Sequence, residues 1–114
     1  MDLASRFAIK DFYIIKDDTT PYYYAKIVNS SGVAIDLSGY TVYASMINHS
    51  TGVYKFTDVT CTVTDTANGY FEYHWQTGDI DTQGTYRMRF KISNGILTYT
   101  LPTSTVARVY VIKK

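Results

Sequence analysis

The sequence predicts an all-β sandwich of about eight to nine short antiparallel strands. Three observations carry this. The 114 residues include 12 tyrosines together with many Thr, Val and Ile, the types that favour a half-buried pleated surface. Several stretches alternate apolar and polar residues with a period of two. Turn signals recur at intervals of roughly ten residues, as in a sandwich or barrel. A chain of this length fits one domain and buries enough surface to need no staple. Residues 1–10 read as an N-terminal arm in which Phe7 and Ile9 could dock on a neighbour, and residues 11–114 as the sandwich.

The elements follow in order. Residues 22–28 form the first clear strand, with Tyr23 facing opposite to Tyr22 and Tyr24. Ser30, Ser31 and Gly32 make a turn into a short piece at 33–35. Residues 40–47 place Tyr40, Val42, Ala44 and Met46 on one face. Gly52 marks the next turn, and 53–57 a short strand. Residues 59–64 align Val59, Cys61 and Val63, and Asn68-Gly69 links them to 70–75, where Phe71, Tyr73 and Trp75 point one way and Glu72 and His74 the other. One helical turn fits 77–82. Residues 85–92 alternate Tyr86, Met88, Phe90 and Ile92 against Thr85, Arg87, Arg89 and Lys91. Asn94-Gly95 then signals a type I′ hairpin turn. The returning strand spans 96–101 with Leu97, Tyr99 and Leu101 together, and Pro102 closes it because it cannot donate to a ladder. Residues 106–112 are apolar on both faces, which predicts an inner strand.

Composition and motifs speak against chemistry. Eleven Lys and Arg against ten Asp and Glu leave a net charge of +1, far from the basic excess of a nucleic-acid binder. The N-terminus lacks the basic start and apolar core of a signal peptide, and no apolar run is long enough to span a membrane. The lone Cys61 excludes an internal disulfide and reads as a small buried apolar residue. His49 reads as a turn residue and His74 as a surface one, and neither has a metal-ligand spacing to another His or Cys. The acidic pairs Asp17-Asp18 and Asp79-Ile80-Asp81 suit turns, where Asp bonds nearby backbone. No nucleophile elbow or phosphate loop is present. The expectation is a protein that is not an enzyme and holds no cofactor or metal.

Two sets of residues suggest contact surfaces. Tyr22 and Tyr24 suit an ordinary sheet surface, a protein interface or a sugar-stacking platform. Arg87, Arg89 and Lys91 form a cationic row that suits a solvated face, a cross-strand partner for acids such as Glu72, or an interface.

One segment is more specific: Tyr73-His74-Trp75-Gln76-Thr77-Gly78-Asp79-Ile80-Asp81-Thr82-Gln83-Gly84-Thr85-Tyr86. Trp75 ends a core strand, Gly78 and Gly84 permit bends, Asp79 and Asp81 can bond backbone N–H groups, and Tyr86 re-enters the next strand in the manner of a tyrosine corner. The segment resembles one common in small tailed-phage structural proteins, similar to the N-terminal domain of the phage baseplate upper protein family. Asp18-Thr19-Thr20-Pro21, Asp36-Leu37-Ser38-Gly39-Tyr40-Thr41-Val42, Asp65 to Gly69 and Pro102 resemble further pieces of that family in the same order. The resemblance covers residues from about 10 to 112. It implies an immunoglobulin-like sandwich and a structural role in a virion, made in the host cytoplasm and acting in a baseplate or tail. Partners would be other virion proteins and further copies of the chain, with no nucleic acid and no membrane. Capsid decoration on the same fold is the alternative, and a carbohydrate-binding module for host attachment the second.

Overall fold

The computed structural model describes residues 11–29, 31–101 and 107–114. Phe7, Ile9, Ser30, Pro102 and Val106, named above, lie outside the described residues. Nine strands are described: β1 (Asp11–Ile15), β2 (Tyr23–Lys26), β3 (Thr41–Asn48), β4 (Tyr54–Thr60), β5 (Thr62–Asp65), β6 (Tyr70–Tyr73), β7 (Gly84–Ser93), β8 (Thr98–Leu101) and β9 (Ala107–Ile112). No helix occurs among the described residues, and 77–80 form a turn and 82 a bend instead of the helical turn that fits 77–82 in sequence.

The strands form two sheets. One has the order β2-β6-β5; the other runs β1-β9-β7-β3-β4, with β8 also on β7. The long strand β7 explains the branch. β3 takes one edge of it over Tyr86–Ser93, while β9 and β8 share the other edge end to end, β9 against Gly84–Met88 and β8 against Phe90–Ser93. With β8 and β9 as two halves of one strand, the orders match the B-E-D and C′-C-F-G arrangement of an immunoglobulin-type sandwich. The expectation of purely antiparallel strands needs one correction: β1 runs parallel to β9, from Asp11↔Arg108 to Ile15↔Ile112. Sequence distance allows this, because the whole domain serves as the crossover between them. The inner position expected for the last strand holds, since β9 lies between β1 and β7.

The core fills the space between the sheets with the inward residues of each alternation. Phe71 of β6 meets Phe90 of β7 edge-on at 4.9 Å between ring centres, Tyr23 of β2 lies 5.6 Å from Phe90, and Phe56 of β4 stacks on Tyr73 of β6 at 4.9 Å. Phe12 reaches Tyr23 and Trp75 from β1. Such pairs add about 1 kcal/mol each beyond the area they bury.

Several assignments differ from the alternation: β1 has no counterpart in it, and the piece at 33–35 makes only an isolated bridge, Ala34 to Val28. Residues 59–64 are not one strand. The chain leaves β4 at Thr60, turns at the buried Cys61, whose N–H donates to the Val42 carbonyl, and enters β5 in the other sheet at Thr62. The 94–97 connection is not a type I′ turn either. Gly95 has φ +92° but Asn94 does not have positive φ; its side-chain Oδ1 accepts from the N–H groups of Ile96 and Leu97 and closes a four-residue loop.

Candidate functional site

The outer face of the three-stranded sheet carries a paired row. Alternation sends Tyr23 into the core and leaves Tyr22, Tyr24 and Lys26 outside. Across the ladder Tyr24 stands opposite Glu72 and Lys26 opposite Tyr70. Tyr22 and His74 continue the row, their rings stacked 4.0 Å apart at 20°. His74 Nε2 lies 2.7 Å from Glu72 Oε1, and the Lys26 ammonium sits 5.2 Å above the Tyr70 ring. Tyr24 stays 53% exposed among these partners. The face is thus aromatic, and Glu72, Lys26 and, opposite Tyr70, Asp65 are charged groups on it.

The outer face of the six-stranded sheet is different. Arg87, Arg89 and Lys91 project from β7, as their alternation requires, and so face away from the three-stranded sheet. The idea that Glu72 pairs with this row fails, because Glu72 belongs to the opposite sheet and bonds His74. The acid that does meet the row is Asp58, whose Oδ2 accepts from Lys91 Nζ at 3.0 Å. Lys91 also lies 5.0 Å from the Tyr43 ring centre. Arg87 stands between Ile47 of β3 and Arg108 of β9 in the ladder, and Arg89 stands opposite Ser45. The Arg87 Nε is buried with no hydrogen-bond partner among the described residues. Tyr13 and Tyr110 stack at 4.9 Å beside Arg108 and extend the surface to the β1 edge.

β4 shapes this face into a depression. Thr57 and Asp58 stand between the rungs Ala44↔Val59 and Met46↔Phe56, so two residues of β4 oppose the single Ser45. That is a bulge. Asp58 adopts φ +51°, and its N–H donates to Ser45 Oγ at 2.9 Å. The bulge bends β4 around a hollow of about 310 Å³ lined by Ser45, Tyr54, Thr57, Asp58, Arg89 and Lys91.

The segment that carries the resemblance forms a closed lock at one end of the sandwich. Trp75 is buried, and its Nε1 donates to the Pro21 carbonyl at 2.9 Å. The buried Asp79 carboxylate accepts from Tyr73 Oη at 2.6 Å and from the Gln76 N–H at 2.8 Å. Burial and the Asp79 carboxylate push the Tyr73 phenol well above its ordinary pKa. Tyr86 Oη donates to the Thr82 carbonyl at 2.8 Å, which is the tyrosine-corner arrangement at the start of β7. Gly78 turns with φ +92°. Asp81 pairs with Lys55 and accepts from Thr82 Oγ1. Its pKa is lowered, chiefly by the bond from Lys55.

Among the described residues no three His, Cys, Asp or Glu side chains gather as a metal set. Cys61 is buried, and desolvation pushes its thiol up to about 12. No protein-family model matches the chain, and no curated protein sequence matches it.

The two residue sets named from sequence therefore lie on opposite sides of the sandwich. Tyr22 and Tyr24 share one face, and Arg87, Arg89 and Lys91 the other. Sequence reasoning missed Tyr13, Tyr110, Tyr54 and the Asp58 bulge. The tyrosines join the cationic face only because the first strand pairs with the last and β4 pairs with β3, and local alternation carries neither fact.

Proposed function

We propose that the chain is a non-enzymatic structural component of a tailed-phage virion that serves a baseplate or tail assembly through protein–protein contacts. One observation carries the contact role: both sheets present Tyr-rich outer faces, one of them interleaved with arginines. Tyr and Arg are the residues enriched at protein interfaces and at their energetic centres. Two faces on opposite sides suit a part held between neighbours. The ordered resemblance over most of the chain supports the virion setting.

The test is direct. Purified particles carrying the gene are analysed by mass spectrometry and cryo-electron microscopy, with the chain expected in density at the tail or baseplate. Density confined to the head lattice would replace the tail role with capsid decoration. A chain absent from the particles would end the virion reading.

The exposed Tyr24 beside the Glu72 carboxylate favours a second reading, a sugar-stacking platform with an acceptor at its edge. It requires glycan-array binding that is lost in Tyr24→Ala and Tyr22→Ala.

A further inference from the structure

The outer face of the six-stranded sheet has an unbalanced charge and a shaped centre. Arg87, Arg89 and Lys91 of β7 and Arg108 of β9 share it. Among the described residues two acids share it with them. Asp58 is engaged by Lys91, and Asp11 lies at the β1 edge opposite Arg108. Among the described residues Arg87, Arg89 and Arg108 form no ion pair. Arg89 is exposed and lines the hollow that the β4 bulge opens. The exposed rings of Tyr13 and Tyr54 flank the cations to either side.

We infer that this face docks an acidic segment of a partner protein, with a partner carboxylate entering the hollow to meet Arg89. The inference rests on the reading of the chain as a protein-contact module and adds the partner's chemistry to it. Charge complementarity selects an anion. Arg presents a planar fork of donors that a carboxylate meets in two bonds, and Ser45, Thr57 and Thr100 around the hollow supply further polar groups. The interleaved tyrosines and the two acids select protein over a phosphate chain. A polyanion tracking along β7 would run into Asp58, whereas a folded acidic loop contacts the rings and offers one carboxylate at a time. The engaged Lys91–Asp58 pair at 3.0 Å, with Lys91 beside the Tyr43 ring, fixes the rim of the hollow before a partner arrives.

The test uses the whole chain and hexaglutamate as the probe, followed by amide nuclear magnetic resonance shifts at low ionic strength. The expected result is a titration confined to the amides around Ser45, Thr57, Asp58 and Arg87 to Lys91. Affinity should fall at least about tenfold in Arg89→Glu and when salt rises from about 20 to about 200 mM. Arg89→Gln should lie between Arg89→Glu and the parent chain. Tyr24→Ala, on the opposite face, should bind like the parent. The same spectra report whether each variant is folded. The inference is overturned if hexaglutamate shifts no amide of this face, if Arg89→Glu binds unchanged, or if an oligothymidylate or dextran sulfate binds the same amides more tightly than hexaglutamate. None of these outcomes depends on particles, so the virion reading and this inference stand or fall separately.

Discussion

Three buried or half-buried tyrosines show how much one hydroxyl depends on its surroundings. Tyr86 Oη reaches the Thr82 carbonyl, Tyr73 Oη reaches Asp79, and Tyr23 Oη is buried with no partner among the described residues. Desolvation raises the pKa of Tyr23, as expected for a phenol surrounded by Phe12, Trp75 and Phe90. Removing a hydroxyl that has a partner costs about 1 kcal/mol, whereas removing one that has none relieves an unmet desolvation cost. Tyr86→Phe should therefore lower unfolding free energy by about 1–2 kcal/mol in urea titration. Tyr23→Phe should leave it unchanged or raise it by up to about 1 kcal/mol. The inward placement of Tyr23 and the lock from Trp75 to Tyr86 were legible in the sequence, because alternation and a fixed bend spacing are local properties. The orphan state of Tyr23 was not, since it depends on what the other sheet places above the ring.

At the scale of elements, most strands follow from alternation, and the departures occur where the chain changes sheet or breaks register. Cys61 sits in a run that reads as one strand, yet the single residue between β4 and β5 carries the chain across the core. The Asp58 bulge has no sequence marker of its own. The Asn68-Gly69 turn signal was legible, but its tolerance was not. Gly69 has φ +73°, and a Cβ there would lie 2.6 Å from the Ile27 carbonyl oxygen and 2.9 Å from that of Ile35. Both obstacles are backbone, and the Ile27 N–H donates to the Gly69 carbonyl at 2.9 Å, so the hairpin cannot move aside cheaply. Gly69→Ala should cost more than about 2 kcal/mol, whereas Gly52→Ala, in open space at a similar φ of +75°, should cost about 1 kcal/mol. Denaturant midpoints of the two variants give the comparison.

At the scale of the whole molecule, Cys61 and the surface carboxylates report on global opening. With its thiol buried and pushed up to about 12, Cys61 should resist a disulfide reagent at neutral pH and react at the rate of unfolding, a rate that denaturant should raise. Asp36 and Asp81 have lowered folded pKa values, the first through the Ser38 hydroxyl and N–H, the second chiefly through Lys55. A lowered folded value means stabilisation that is fully present above the unfolded value of about 3.9 and is lost as pH falls below it through the folded values. The difference in denaturant midpoint between neutral pH and about pH 3 should therefore shrink in Asp81→Asn and in Asp36→Asn. The fold class was legible at this scale, while the division of the candidate surface into two opposed faces was not, because it depends on which strands share a sheet. The parallel pairing of β1 with β9 has a mechanical side as well. Asp11 and Ile112 lie at opposite ends of that pair. Tension applied between them loads all of its rungs together in shear. Force that lifts β1 sideways unzips them singly. A chain held at both ends in this way yields far less readily along its length than across it.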